Sequence, residues 1–232
     1  MEAGNADMNC AHATSHSFAI GDVRFQELPI PIPGSSRSCR YLLIETGILG
    51  FPVICALLRQ AMGDDGLVPI LLLHSPSDEV FLDDELRALI PKNVPWLHIR
   101  DGGRSLAAEF SEFELLRAML IDPLATQSLP CVDFVDYASA LGMGGEIHLA
   151  YDSGDTCKRL VWRLCKLLRH RPPDNMLCLH LRSPCGQSPL PALLQITEEL
   201  ERECCIDKDA LFIPTALEGG DDLFHAIVLM RS

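Results

Sequence analysis

The chain has 232 residues, enough for one large domain or two small ones sharing a core. Hydrophobic residues make up 48% and charged residues 22%, a balance that excludes disordered and fibrous classes. A formal charge of −13 sets most of the surface against nucleic acid and anionic lipid, which excludes a basic-groove nucleic-acid binder.

The first 21 residues are small and polar and read as a disordered tail. Cys10, His12 and His16 fall there at metal-ligand spacing, but three ligands on a mobile segment lack a closed set, and no metal site is expected. No basic region leads into an apolar stretch, so no secretory signal is read and the cytoplasm is the expected location. Ten cysteines without a C-x-x-C pair, several of them inside apolar periodic segments, read as reduced thiols. The uncharged run from Gly47 to Leu58 is too short to span a membrane and is interrupted by Pro52, so no membrane insertion is expected.

Residues 22–30 read as extended and run into a proline-rich linker, Pro29 to Gly34. Strand and helix then alternate: a strand at Tyr41–Ile44, a helix opened by Pro52 and ending at Met62, a buried strand at Val68–His74, a helix at Phe81–Leu89 and a strand at Trp96–Arg100. Leu106–Leu120 forms a longer helix with Leu106, Phe110, Phe113 and Leu116 on one face, which places Phe110, Phe113 and Leu116 between two halves of the molecule. The second half offers a strand at Gly145–Tyr151 and then a helix that turns Cys157, Leu160, Val161, Leu164, Cys165 and Leu168 inward. Its outward face is basic, with Lys158, Arg159, Arg163, Lys166 and Arg169, and the bland reading of that face is a solvated exterior. A strand at Met176–Leu181, a helix after Pro189 and a closing hairpin of Ala210–Leu217 with Leu223–Met230 complete the pattern. The fold class is α/β: a truncated parallel, Rossmann-like layer over 22–128 with its central helix at 106–120, and an α+β domain with a mixed four-stranded sheet over 129–232.

Between the halves stands Pro130-Cys131-Val132-Asp133-Phe134-Val135-Asp136-Tyr137. It resembles the NVDFADV loop that joins the central helix to the C-terminal domain in the tubulin/FtsZ family. Leu141-Gly142-Met143-Gly144 and Ser153-Gly154-Asp155 follow in the family's order, and the segment from Asp209 to Leu229 is similar to its final hairpin. The resemblance runs from about residue 40 to 232 and is strongest after 130. It implies that Asp133 and Asp136 match the carboxylate pair that one protomer presents to GTP on the next, with Cys131, Val132 and Phe134 completing the partner-facing acidic loop. The residue-level alternative is that the two aspartates cap or solvate an interdomain turn.

Against the family's GGGTGTGAAP phosphate loop stands Leu43-Ile-Glu-Thr46-Gly47-Ile-Leu-Gly-Phe-Pro52, in which only Thr46, Gly47 and Pro52 agree. Glu45 and Leu49 occupy two positions where backbone N–H groups need close access to phosphate. Only about forty residues precede this stretch, so the resemblance implies that much of the nucleotide-holding half is missing. Phe110 and Glu114 fall near the family's guanine contacts, although helical spacing makes Phe110 core packing.

The reading is thus an FtsZ-like pseudo-GTPase, not an enzyme in its own right. It has no catalytic residue in cis and no cofactor except GTP held by a partner subunit. It binds or caps FtsZ or another tubulin-like polymer and regulates filament assembly in cell division. Two alternatives stand beside it. One is a nucleotide-binding oxidoreductase-like domain of the ferredoxin-reductase type, suggested by Thr46-Gly47-Ile48 to Pro52 and Phe81 to Leu89. The other is a self-associating scaffold that keeps the fold only as an interaction surface.

Overall fold

The computed structural model describes residues 16–21, 23–31, 38–47, 50–75, 84–100, 112–126, 130, 132–170, 176–204 and 211–231. In chain order these form β1 (His16–Ile20), β2 (Val23–Pro31), β3 (Ser38–Thr46), α1 (Phe51–Ala61), β4 (Leu67–Ser75), α2 (Asp84–Leu89) and β5 (Pro95–Arg100). Then come α3 (Glu112–Ala125), α4 (Phe134–Gly142), β6 (Gly145–Gly154), α5 (Cys157–His170), β7 (Met176–Ser183), α6 (Pro189–Cys204), β8 (Leu211–Glu218) and β9 (Phe224–Arg231).

All nine strands lie in one sheet, in the order β1-β2-β3-β4-β5-β6-β9-β7-β8. Strands β3, β4, β5 and β6 are mutually parallel, and β7 and β8 run the same way, while β9 is antiparallel to both of its neighbours. The α/β class stands as expected. The four strands of the second half do not form a sheet of their own, however: Pro95, Trp96 and Leu97 pair with Gly145, Glu146 and Ile147 and join them to the first half.

Side-chain alternation divides this sheet into two unlike faces. One face carries Tyr41, Leu43, Ile70, Leu72, Leu97, Ile147, Cys178, Ile213 and Leu229, which pack with Leu116, Met119 and Leu120 of α3 and Tyr137, Ala140 and Leu141 of α4 in one continuous cluster. On the other face α1 and α2 cover Leu42, Ile44, Leu71, Leu73 and Trp96, and a separate cluster under α5 and α6 covers Ala150, Leu179, Leu181, Ala216 and Val228. Leu116 is therefore buried where both halves meet, as its spacing implied. Phe110 and the side chain of Phe113 fall outside the described residues.

Several boundaries depart from the sequence reading. The expected tail over 1–21 ends in a strand, since Ser17 to Ile20 pair antiparallel with Val23 to Gln26; Cys10 and His12 lie outside the described residues. Pro29 and Pro31 belong to β2 and not to a linker. They lie beyond Glu27, the last residue of β2 opposite β1, where a missing N–H on the outer edge of the strand costs no ladder bond. The long helix runs on to Ala125, with Pro123 in its last turn. Finally, β8 and β9 are not a hairpin, because β7 lies between them and pairs with both. The connection after Glu218 crosses the end of β7, where Gly219 N donates to Ser183 O (2.7 Å) and Cys185 N donates to Asp221 O (2.7 Å). Among the described residues no helix is long and apolar enough to cross a membrane.

Candidate functional site

The residues singled out in the sequence fall at opposite ends of the sheet. At the carboxyl end of β3 the chain turns directly into α1. Thr46 is buried and its Oγ1 donates to Gly47 O (2.9 Å), while Gly50 N donates to Gly47 O (3.2 Å). Gly50 is the helix N-cap, with no side-chain cap, and Pro52 lies in the first turn of α1, where its missing N–H is tolerated. A Cβ on Gly50 would stand 2.8 Å from Thr46 Oγ1 and 3.0 Å from Val23 Cγ2. The glycine is needed for close packing of the turn. Glu45 is exposed on the α3 side of the sheet, 3.9 Å from Arg24, and borders a hollow of about 450 Å3 over β1 to β4.

The described residues of this turn offer few free donors. A phosphate cradle needs a run of N–H groups free to converge on one anion. Here Gly50 N is spent inside the turn, Pro52 has none, and the Thr46 hydroxyl is buried and bonded to its neighbour. Residues 48 and 49, which include Leu49, lie outside the described residues.

At the opposite end, Asp133 and Asp136 stand at the start of α4. Sequence reading took the segment through Tyr137 as a loop, but from Phe134 onward it is helix. The two aspartates form a reciprocal cap. Asp133 Oδ1 accepts from Val135 N (2.8 Å) and Asp136 N (3.1 Å), and Asp136 Oδ2 accepts from Asp133 N (2.9 Å). The capping alternative is therefore realised, and both aspartates are exposed as well. Val135 between them is 66% exposed. Val132 and Phe134 pack on the core, with the Phe134 ring 5.1 Å from Tyr41, and Cys131 lies outside the described residues. Tyr41 and Thr46 are five residues apart on β3, so the acidic helix start and the β3–α1 turn are separated by about 16 Å along the strand direction.

Sequence reading missed a third group. At the carboxyl ends of β6, β7 and β8, His225 Nδ1 lies 2.7 Å from the Tyr151 hydroxyl and His225 Nε2 lies 2.7 Å from Asp221 Oδ2. The two rings stack with centroids 6.0 Å apart. They line a cavity of about 270 Å3 against α3, beside Asp122, which pairs with Arg182. The Leu223 backbone N–H bonded to Asp221, with His225 beside it, holds that carboxyl below its usual range, whereas burial pushes Asp122 up against the opposing pull of Arg182. The signal available in the sequence was an Asp-x-x-x-His spacing at a loop-to-strand junction.

A second polar group is deeply buried beneath α3 and α4. His180 Nδ1 lies 2.9 Å from Thr215 Oγ1, and burial lowers the His180 pKa to about 3. Burial likewise raises the pKa of the nearby Cys178 thiol to about 12. Among the described residues no cluster of three or more His, Cys, Asp or Glu side chains is arranged to hold a metal ion.

No family model matches the sequence, and no curated protein does. Solved structures do match in three dimensions. An FtsZ W319Y mutant of M. jannaschii aligns at a TM-score of 0.58 and 14% identity over 82% of this chain and 64% of its own. CetZ2 of Haloferax volcanii, in a GTPgS-bound protofilament, aligns at 0.54 and 13% over 83% and 65%. TubZ of Bacillus thuringiensis serovar israelensis, in GDP-form protofilaments, aligns at 0.51 and 13% over 82% and 60%. The chain spans less than two thirds of the length of each of these proteins. With its unbroken sheet, bridging α3 and acidic start to α4, this chain has the fold of the tubulin/FtsZ family.

Proposed function

We propose that this chain is a one-ended member of a tubulin-like polymer system. The acidic start of α4 docks on the nucleotide-bearing face of another tubulin-like protomer, and the chain does not itself hold or turn over GTP. One observation carries the reading: the two ends of β3 are unlike. The carboxyl end has a tight, self-bonded turn beside the exposed Glu45, while Asp133, Val135 and Asp136 are exposed at the other. Head-to-tail growth needs two complementary faces, so a subunit with one competent face terminates or regulates a filament and does not extend it. In the cytoplasm that role amounts to control of an FtsZ-type filament, with cell division as the setting, and the partner subunit supplies the only GTP involved.

The test pairs calorimetric titration of the chain with GTP and magnesium against co-sedimentation with GTP-assembled FtsZ filaments. We expect no affinity tighter than millimolar in the first and saturable co-pelleting in the second. Micromolar GTP binding, or a chain that stays in the supernatant with every tubulin-like filament tried, overturns the proposal. The double variant Asp133→Asn, Asp136→Asn removes both charges while leaving a residue type that caps helices about as well as aspartate, so it separates docking from folding. It should sediment with filaments less well at unchanged thermal stability.

A further inference from the structure

Helices α5 and α6 lie side by side and run in the same direction: Cys157 Sγ donates to Ala192 O (3.8 Å) near their starts, and Cys204 Sγ donates to Cys165 O (3.9 Å) towards their ends. Both cover the same apolar cluster, so both turn their remaining face outward. On α5 the exposed row at i, i+4, i+8 and i+11 is Lys158, Trp162, Lys166 and Arg169. On α6 the exposed row at the same spacing is Leu190, Leu194, Glu198 and Glu201. Trp162 is 64% exposed and Leu194 55%, and the Lys166 ammonium lies 5.8 Å from the indole centroid. Other charges on this face are used within the chain: Arg159 pairs with Asp155, Arg163 with Asp152, Arg169 with Glu203, and Arg202 with Glu199 and Glu203. Lys158, Lys166, Glu198 and Glu201 have no ion-pair partner among the described residues.

We infer that this face is an interface between two copies of the chain, related by a two-fold axis parallel to the two helices. Such an axis lays α5 of each copy along α6 of the other at the same level, and it brings Lys158 and Lys166 of one copy to Glu198 and Glu201 of the other, twice over. A two-fold across the helices would instead set α5 on α5 and stack like charges. Trp162 and Leu194 supply the apolar centre, and tryptophan is enriched where interfaces carry most of their energy. A partner of uniform charge would match one helix and be repelled by the other, whereas a second copy matches both. The formal charge of −13 on each copy does not oppose this at physiological salt, where charges more than about 8 Å apart are largely screened. The face is about 24 Å long and about 20 Å wide, at the low end for a specific interface, so a dimer of micromolar affinity is expected. Because α4 packs on the opposite face of the sheet, its acidic start stays free in both copies, and the inference does not depend on what α4 binds.

Sedimentation velocity of the full chain in reducing buffer, at concentrations across the micromolar range, tests this interface. We expect the mass to rise from monomer to dimer and no further. Trp162→Ala, at an exposed position, should weaken the dimer about thirtyfold, the effect of losing an interface hot spot. Lys158→Glu with Lys166→Glu, and separately Glu198→Lys with Glu201→Lys, should each leave a monomer. Mixing these two variants should restore a dimer, because every α5 then faces an α6 of opposite charge again, and a loss of fold could not be repaired by mixing. Asp133→Asn with Asp136→Asn should leave the dimer unchanged. A chain that stays monomeric throughout, a dimer that survives both charge reversals, or reversed chains that remain monomeric on mixing overturns the inference. Should a reversed chain fail to fold, Trp162→Ala decides, and an unweakened dimer overturns it.

Discussion

The two faces of the sheet are built on opposite principles. Under α3 and α4 a single apolar cluster runs from Leu28 and Tyr41 in the first half to Ile213 and Leu229 in the second. On the reverse face the core is cut in two, one part under α1 and α2 and the other under α5 and α6. The apolar core joins the halves on one face, three residue pairs link β5 to β6 and Arg87 pairs with Glu146, while on the other face each half keeps a core of its own. What reads in the sequence as two domains is in space one sheet divided on one side only.

The strongest way to break this contrast is at the seam. Gly144 has φ +68°, and a Cβ there would lie 1.8 Å from the Lys92 carbonyl oxygen, next to the turn that feeds β5. Gly144→Ala combines a steric clash with an unfavourable backbone conformation, and a cost of about 4 kcal/mol or more is expected, enough to lose most folded protein in a denaturant titration. Leu116→Ala comes next, at about 2–5 kcal/mol, and because its cluster spans both halves, hydrogen exchange should speed up in β2 to β4 and in β7 to β9 alike. Leu164→Ala on the divided face should cost a similar amount but speed exchange chiefly in β6 to β9. Equal spreading from both substitutions would erase the distinction between the faces.

A subtler probe uses pH. His180 on the continuous face is buried in its neutral form, its pKa lowered from 6.5 to about 3 chiefly by burial, with Arg182 adding to the effect. The unfolded chain takes up this proton in the window that the native chain refuses it, so stability is complete above about pH 6.5 and falls as pH drops towards 3. His180→Gln should flatten the slope of unfolding free energy against pH by about one proton in that window, even if it lowers stability overall. The smallest expected effect is at the cap. Asp133→Ala removes the acceptor for two backbone N–H groups and should cost about 1 kcal/mol, whereas Asp133→Asn should cost almost nothing.

The parts of this fold legible in the sequence were those governed by local periodicity. The alternation from β3 to β5 and the inward face of α5 follow from patterns of two and 3.6 residues, and the elements from β3 to β5 came within one to three residues of the observed boundaries. Long-range choices were not legible. Leu211 to Arg231 looks like two strands around Glu-Gly-Gly-Asp-Asp, and nothing local says that β7, more than thirty residues earlier, lies between them. At Asp133 the resemblance to an interdomain loop implied a loop through Tyr137, though Asp-Phe-Val-Asp at that spacing is also a helix-start pattern. Tyr151 lies 74 positions from His225, so that contact was invisible to any pattern confined to a short window, although the Asp221–His225 spacing was not.

The place of β9 has a consequence in time. It is the last of the described strands in the chain, yet it lies between β6 and β7 and contributes some of the most deeply buried residues of the sheet. A ribosome making this protein releases β6 and β7 while the strand that joins them is still inside the exit tunnel, so for the length of α6 and β8 two strand edges wait with their hydrogen-bonding groups unpaired. Closure of the sheet therefore waits for β9, and a nascent chain stopped before Phe224 should be recognised by chaperones as unfinished, however well its first half has formed.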